Sequence, residues 1–385
     1  MNTSNNHRKL LFVIDNLSTG GAQRQMVNLS VGMSRRGYQV EIFCYSQGDL
    51  LAKPLIEAGI PIHWHIKRSR YSFDVILALR DLISRRNYDL ALAFLTTPNF
   101  YTILAGSLLR TNRIPVVVSE RFCDLPNSVS WLERFVRQFY RIATHVVTNS
   151  HHQRINLSHK YPWLKNRLST IYNGYDLNIF SPAVSEPDNK PLQILTIASV
   201  SPYKNGLVLV EALNILKRKY NLFPRVDWIG QLVMQGERLQ YLNQMKAAIS
   251  KYELESQWNW LNQRLDIVDQ LHQHDVLIHP SFGEGLPNVV CEAMACGRPV
   301  IVSDSLDHSH LVQDGKNGFL FDYRDAESLA QKIKIFVDMS PAERQIMGQW
   351  GRKFAEENLS LERFVNDYEK LFLNILRKQG DLCSS

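Results

Sequence analysis

The sequence predicts an α/β protein built from two doubly wound parallel-sheet domains in tandem. Three observations lead there. A chain of 385 residues is long enough for two domains of ordinary size. Its composition, 45% hydrophobic and 21% charged, is that of a globular protein with a full core and excludes disorder, collagen and coiled coil. Strand-like apolar runs alternate with helix-like stretches in two series, and each gap suits a crossover helix.

The first series reads Lys9–Ile14, Gln39–Tyr45, Leu90–Leu95, Pro115–Ser119 and His145–Asn149; the second reads Gln193–Ala198, Arg225–Gly230, Gln257–Leu261, Asp275–His279 and Pro299–Ser303. Near-continuous apolar runs of this kind belong to parallel strands covered on both faces. Between the series, Phe180–Pro191 is rich in Pro, Ser, Asp and Asn and lacks periodic apolar positions, which marks a linker. We expect domains of residues 1–184 and 185–360. Leu90–Leu109 has no charge between Asp89 and Arg110 and approaches the length of a bilayer span. Thr96-Thr97-Pro98-Asn99 interrupts it, so a buried strand, a polar loop and a helix from Phe100 are expected instead. Two helices end the chain. Ser340-Pro341-Ala342-Glu343 is a capping box with Pro at the first helical position. Ser360 caps the second, where Leu361, Phe364, Val365, Tyr368, Leu371, Phe372 and Ile375 form a helical apolar stripe that needs a surface to cover.

Charge is unevenly placed. Residues 1–180 carry 22 Lys and Arg against 11 Asp and Glu, a net of +11, whereas residues 181–385 carry 22 against 26, a net of −4. A basic half suits anionic lipid, phosphorylated ligands or nucleic acid, and the lack of zinc-finger or RNP signatures argues against the last. Trp131–Arg141, WLERFVRQFYR, puts Trp131, Leu132, Phe135, Val136, Phe139 and Tyr140 on one helix face flanked by Arg134, Arg137 and Arg141. This reads as a core helix with a basic outer face or as a helix lying on an anionic membrane surface. The five scattered cysteines have no metal-binding spacing, and a reducing compartment is the default. The pairs His63/His65, His151/His152 and His272/His274 read as surface or hydrogen-bonded histidines, and no metal is expected. The apolar run Leu10–Ile14 is too short for a signal peptide, so we expect a cytoplasmic protein, peripheral at the inner membrane face.

The most informative segment is Asp275–Ser303, DVLIHPSFGEGLPNVVCEAMACGRPVIVS. It reads as a strand, a loop with Gly283 and Gly285, a helix begun by Pro287 and stopped at Gly297, and another strand. Ligands of open α/β sheets bind at this carboxyl edge, where helix N-termini offer free amides to phosphate. Glu284 and Glu292, separated by seven residues, supply acceptor-only carboxylates suited to sugar hydroxyls. Taken alone, each also fits an ordinary solvated carboxylate.

Glu284 to Glu292, with Gly285-Leu286-Pro287 and Glu292-Ala293-Met294-Ala295-Cys296-Gly297, resembles the EX7E signature of the family 4 retaining glycosyltransferases, also called glycosyl transferases group 1. Other segments agree in order. Ser18-Thr19-Gly20-Gly21-Ala22-Gln23-Arg24 resembles the N-terminal glycine turn, and Ile171-Tyr172-Asn173-Gly174-Tyr175-Asp176 the approach to the interdomain linker. Ser201-Pro202-Tyr203-Lys204-Asn205-Gly206 resembles the phosphate-binding lysine loop, and Asp314-Gly315-Lys316-Asn317-Gly318 a downstream turn.

The resemblance implies the GT-B fold: two Rossmann-like domains facing across a cleft, with the helix of residues 361–378 crossing back onto the first. It implies metal-independent transfer of a hexose or N-acetylhexosamine, with retention, from a nucleotide diphosphate sugar to a glycan or lipid-linked acceptor. The nucleotide sugar is a co-substrate and no cofactor is needed. Glu284 would lie by the transferred sugar, Glu292 would bind the ribose, and Lys204 would neutralise the departing diphosphate. Gly285, Leu286, Pro287 and Asn288 would cradle the donor, Gln263 and Arg264 would meet the base, and Gly20 and Gly21 would approach the diphosphate or acceptor. No Asp-x-Asp occurs, which fits transfer without a metal. Three departures stand out. Ser199 replaces a common arginine, Ser119-Glu120-Arg121 lacks a common histidine, and Ser305-Leu306-Asp307-His308 replaces a glycine-bearing turn. A catalytically silent nucleotide-sugar-binding subunit and a GT-B sugar-nucleotide epimerase are the alternative readings.

Overall fold

The structure, a computed structural model, describes residues 8–18, 20–69, 72–108, 113–124, 129–183, 191–232 and 235–383. The chain divides into two compact units, Met1–Gly174 with Leu361–Ser385, and Tyr175–Ser360. The first division thus falls upstream of the 184/185 boundary set from composition, because residues 175–183 pack with the second unit. There Arg352 Nη1 donates to the carbonyls of Phe180 (2.7 Å) and Ala295 (2.6 Å). The middle of the expected linker, residues 184–190, lies outside the described residues.

The first unit contains a parallel sheet of β1 (Lys9–Ile14), β2 (Gln39–Cys44), β3 (Ile62–Trp64), β4 (Leu90–Phe94), β5 (Val116–Glu120), β6 (His145–Thr148) and β7 (Leu168–Thr170). Its order is β3-β2-β1-β4-β5-β6-β7, with every pairing parallel. The side-chain period of two sends Leu10, Phe12 and Ile14 into one core and Leu11 and Val13 into another, so apolar runs were needed on both faces. The terminal helix Leu361–Cys383 covers the first of these cores. Phe364, Val365, Tyr368, Phe372 and Ile375 are buried there, a burial that contributes roughly 10 kcal/mol as an upper bound. It comes close enough that a Cβ on Gly32 would lie 2.4 Å from Val365 Cγ2.

The second unit contains β8 (Gln193–Ile197), β9 (Arg225–Ile229), β10 (Trp258–Leu261), β11 (Val276–His279), β12 (Val300–Ser303) and β13 (Phe319–Phe321). The order is β10-β9-β8-β11-β12-β13, again all parallel. Both sheets are doubly wound. The chain reverses direction between β1 and β4 in the first and between β8 and β11 in the second, and such switch points open a crevice at the carboxyl ends of the strands.

Two local expectations are corrected. No polar loop separates β4 from its helix: Leu95 takes φ 79° and the helix Thr96–Ile103 begins at once. Pro98 falls in the first turn, whose N–H groups have no intrahelical partner, so it breaks nothing. The apolar residues of Trp131–Arg141 also do not share one buried face. Val136 and Tyr140 are buried, whereas Trp131 is 78% and Phe135 52% exposed. Arg137, expected on the outside, is buried against Asp124 (two contacts of 2.7 Å) and Glu120 (3.3 Å). Among the described residues no helix is long and apolar enough to cross a membrane.

Candidate functional site

The second unit gathers its chemistry at the β8/β11 switch point. After β8 the chain runs into a 3-10 turn, Pro202–Lys204, and Asn205 turns it with φ 56° into the helix Gly206–Ile215. Asn tolerates this left-handed conformation better than most residues, and its Nδ2 is pinned to the Tyr323 carbonyl at 2.7 Å. After β11 the loop 280–287 leads into the helix Asn288–Ala295, which Gly297 stops at φ 66°. The two loops are stitched together. The Tyr203 carbonyl accepts from the Phe282 amide (3.0 Å) and from Ser281 Oγ (3.2 Å).

This stitching brings Lys204 and Glu284 into an ion pair, Nζ to Oε1, with side chains 14% and 19% exposed. The same Oε1 lies 2.7 Å from His279 Nε2. Burial raises the Glu284 pKa, but the charge of Lys204 and then the contact with His279 outweigh it and hold the carboxyl well below the usual range. His308 lies behind His279, the ring centroids 5.6 Å apart at 86°. Burial, followed by the neighbouring His279, pushes His308 down to about 3.

Gly285, Leu286 and Pro287 are buried beside Glu284, and Pro287 is the N-cap of the following helix. Tyr175 OH donates to Asn288 Oδ1 at 2.7 Å. Glu292 lies buried on the next turns of that helix. Gln263 and Arg264 follow β10, where Arg264 is exposed and paired with Asp266 at 2.6 Å. The structure therefore places Lys204, Glu284, Gly285, Leu286, Pro287, Asn288 and Glu292 on the two switch-point loops and the helix that continues one of them. Gln263 and Arg264 belong to a strand end further along the same sheet.

Gly20 and Gly21 belong to the first unit, at the entry of the helix Gly21–Arg35 after β1. A Cβ on Gly20 would lie 2.0 Å from Gln23 Oε1, and the Gln23 amide donates to Asp15 Oδ1 at 2.9 Å. Thr19 of the same turn lies outside the described residues. Arg121, the first residue after β5, closes the segment Ser119-Glu120-Arg121. It stacks 3.6 Å from the Phe94 ring centroid and donates to Asn173 (2.7 Å) and Tyr368 (2.8 Å).

Sequence reasoning missed His279. The signal was present: a histidine closing an otherwise apolar buried strand must find a polar partner, and Glu284 is the first carboxylate after it. The paired histidines elsewhere have protein partners, among them His63 on Glu41 (2.6 Å), His65 on Asp74 (2.9 Å) and His274 on Asp227 (3.0 Å). No group of three metal-ligating side chains stands among the described residues.

A switch-point cation paired with a loop carboxylate, ahead of a helix bearing a second carboxylate, offers positive charge to phosphate and acceptors to hydroxyl groups. Residues 19–179 match the model of Glycosyltransferase Family 4, and residues 179–354 match that of Glycosyl transferases group 1. The chain belongs to this family of GT-B glycosyltransferases and is a glycosyltransferase. It is 23% identical over 94% of its length to an uncharacterized glycosyltransferase of Haemophilus influenzae, covering 99% of that protein. To the UDP-Gal:alpha-D-GlcNAc-diphosphoundecaprenol alpha-1,3-galactosyltransferase of Escherichia coli it is 32% identical over 45% of this chain, spanning only 46% of that protein. A glycosyltransferase of Rickettsia africae has the same fold, with a TM-score of 0.82 at 20% identity, over 96% of this chain and 99% of the other.

Proposed function

We propose that the protein transfers a hexose or N-acetylhexosamine from a nucleotide diphosphate sugar to a lipid-linked glycan acceptor, with retention and without a metal, in surface-polysaccharide assembly. The observation that carries this reading is the convergence of Lys204 and Glu284 at the β8/β11 switch point. In the reaction the bond from the anomeric carbon to the diphosphate oxygen breaks and a bond to the acceptor oxygen forms, while the acceptor proton passes to the departing diphosphate. Lys204 stabilises the charge developing on that diphosphate, which is where preorganised electrostatics lower a barrier most. Glu284 holds the transferred sugar, Glu292 accepts from the ribose hydroxyls, and the amides opening the helix Asn288–Ala295 face phosphate. Gln263 and Arg264 meet the base.

A cavity of about 520 Å³ in the first unit supports the acceptor assignment. It lies at the carboxyl ends of β1, β2 and β4, with Phe73, Phe100, Tyr101 and Leu132 supplying apolar wall and Lys67 and Asp15 supplying charge. Phe73 of this lining is exposed, as is Trp131, next in sequence to the lining residue Leu132. Apolar wall beside a cation suits an amphiphile with an anionic head, and the +11 charge of residues 1–180 suits approach to an anionic membrane surface.

The test is a thermal-shift screen against UDP, GDP, ADP and their sugar conjugates, with and without EDTA, followed by transfer to a polyprenyl-diphosphate sugar. Selective stabilisation unaffected by EDTA, then product formation, is expected. UDP-galactose heads the list because the Escherichia coli relative is named for it. No shift with any nucleotide would overturn the donor site, and conversion of the donor to an epimeric sugar nucleotide without acceptor would replace transfer by epimerisation.

A further inference from the structure

The last residue of β11, His279, has a side chain only 1% exposed. Its Nε2 lies 2.7 Å from Glu284 Oε1. A carboxylate only accepts, so Nε2 carries the hydrogen and donates it. Nδ1 has no hydrogen-bond partner among the described residues. The other residues of the strand, Val276, Leu277 and Ile278, are apolar and buried. An imidazole at the fourth position is costly to bury, and among the described residues its hydrogen bond goes to Glu284.

The ring is held from behind. His308 Nδ1 lies 2.8 Å from the Ser303 carbonyl and 3.0 Å from Ser303 Oγ, which fixes its ring edge-on to that of His279. Ser303 Oγ donates to the Ser281 carbonyl, and Ser305 Oγ donates to the same oxygen at 3.2 Å. A continuous run of contacts therefore leads from the end of β12 through His308 and His279 to the carboxylate. Both donors to Glu284, Lys204 Nζ and His279 Nε2, converge on Oε1, and Oε2 makes no protein hydrogen bond among the described residues.

We propose that His279, backed by His308, is the positioning residue for Glu284. It fixes Oε1 so that Oε2 is presented to the sugar, and it keeps the carboxylate in place when Lys204 engages the diphosphate. The proposal rests on the donor-site reading above.

The test compares His279→Leu with His279→Gln in the full chain. Glutamine carries an amide N–H the same number of bonds from Cα as His Nε2, whereas leucine fills the space without a donor. The leucine variant should lose about 10- to 100-fold in kcat, as when a supporting partner of a reacting group is removed, with KM for the nucleotide sugar within about threefold of wild type. The glutamine variant should recover most of the loss. A folded leucine variant with wild-type kcat, or a glutamine variant no better than leucine, would overturn the proposal. The contact also has a readout independent of activity and of the leucine variant's folding. In ¹H–¹⁵N spectra of the imidazole nitrogens, His279 should show a protonated Nε2 whose resonance moves in Glu284→Gln. If wild type transfers no sugar, the functional reading fails on its own account, and an Nε2 signal unmoved by Glu284→Gln would separately sink the positioning role.

Discussion

Lys204→Met removes the ammonium and keeps an unbranched stem of similar length, which isolates the charge. In the folded protein Nζ meets Glu284 with both side chains less than a fifth exposed. Breaking a fully buried ion pair costs about 3–5 kcal/mol because the remaining charge stays desolvated. Here residual solvent and His279 relieve Glu284, so a loss of about 2–3 kcal/mol is expected, or roughly 4–12 °C in Tm for a unit of this size. The effect on transfer is separate. A preorganised group facing developing charge is worth about 2.7–4 kcal/mol, so kcat at saturating donor should fall about 100- to 1,000-fold. The assays are unfolding by differential scanning fluorimetry and initial rates with the best donor of the nucleotide screen. Glu284→Gln removes the charge left behind, so the double variant should be more stable than the sum of the two single losses allows, by about 0.5–3 kcal/mol. Additive stability losses would show that the pair is not coupled in solution, and a rate within threefold of wild type would refute the role given to Lys204.

Glu292→Ala should weaken nucleotide binding by about tenfold or more, the loss of a charge-assisted hydrogen bond, with less effect on kcat; titration calorimetry with the nucleoside diphosphate reads this, and unchanged affinity would remove Glu292 from the ribose. Gly32→Ala should cost about 1–3 kcal/mol, since its Cβ would meet the stiff Val365 side chain at 2.4 Å; an unchanged urea midpoint would show that the terminal helix is not held so closely. Acidification should destabilise the fold from near neutrality downward. Burial pushes His308 down to about 3 and His145 down to about 4, while unfolded imidazoles titrate near about 6.5, so the unfolded chain takes protons first. This stability is fully present above about pH 6.5 and drains as pH falls toward the folded values, by at most about 1.4 kcal/mol per unit for each histidine. Urea unfolding at pH 7 and 5.5 checks the slope, which His308→Gln should reduce.

The central strands were legible because burial on both faces demands apolar runs, which β1 and β4 carry almost throughout, β11 up to His279, and β8 with the single break of Thr196. The edge strands β3, β7 and β13 escaped notice. Each has three residues, and β3 and β7 are only partly covered, so neither length nor alternation rises above the loops beside them. The capping box at Ser340 was readable, and the equivalent at Ser130–Glu133 was passed over although its spacing is the same. Arg137 could not be placed from its own segment. Its neutralising partners, Glu120 and Asp124, come from the end of β5 and the loop after it, and only tertiary structure brings them together. The same holds for the pairing of Glu284 with Lys204, which lies 80 residues upstream, whereas His279, five residues before Glu284, was within reach of the sequence.

The segment Ser305–His308 shows what such assembly can require of the backbone. In this turn Leu306 stands at φ 51°, a left-handed conformation that costs a residue with a Cβ about 1 kcal/mol or more. Asp307 is fully buried beside it. That strain is offset locally, because the turn delivers His308 to Ser303 and sets its ring against His279. A glycine at Leu306 would relax the backbone and leave the histidine less firmly placed. Leu306→Gly should therefore preserve or raise Tm, while moving kcat in the direction of His279→Leu to a smaller extent. If instead kcat is unchanged while the fold gains stability, the strain serves nothing at the sugar site, and His308 is only a packing residue.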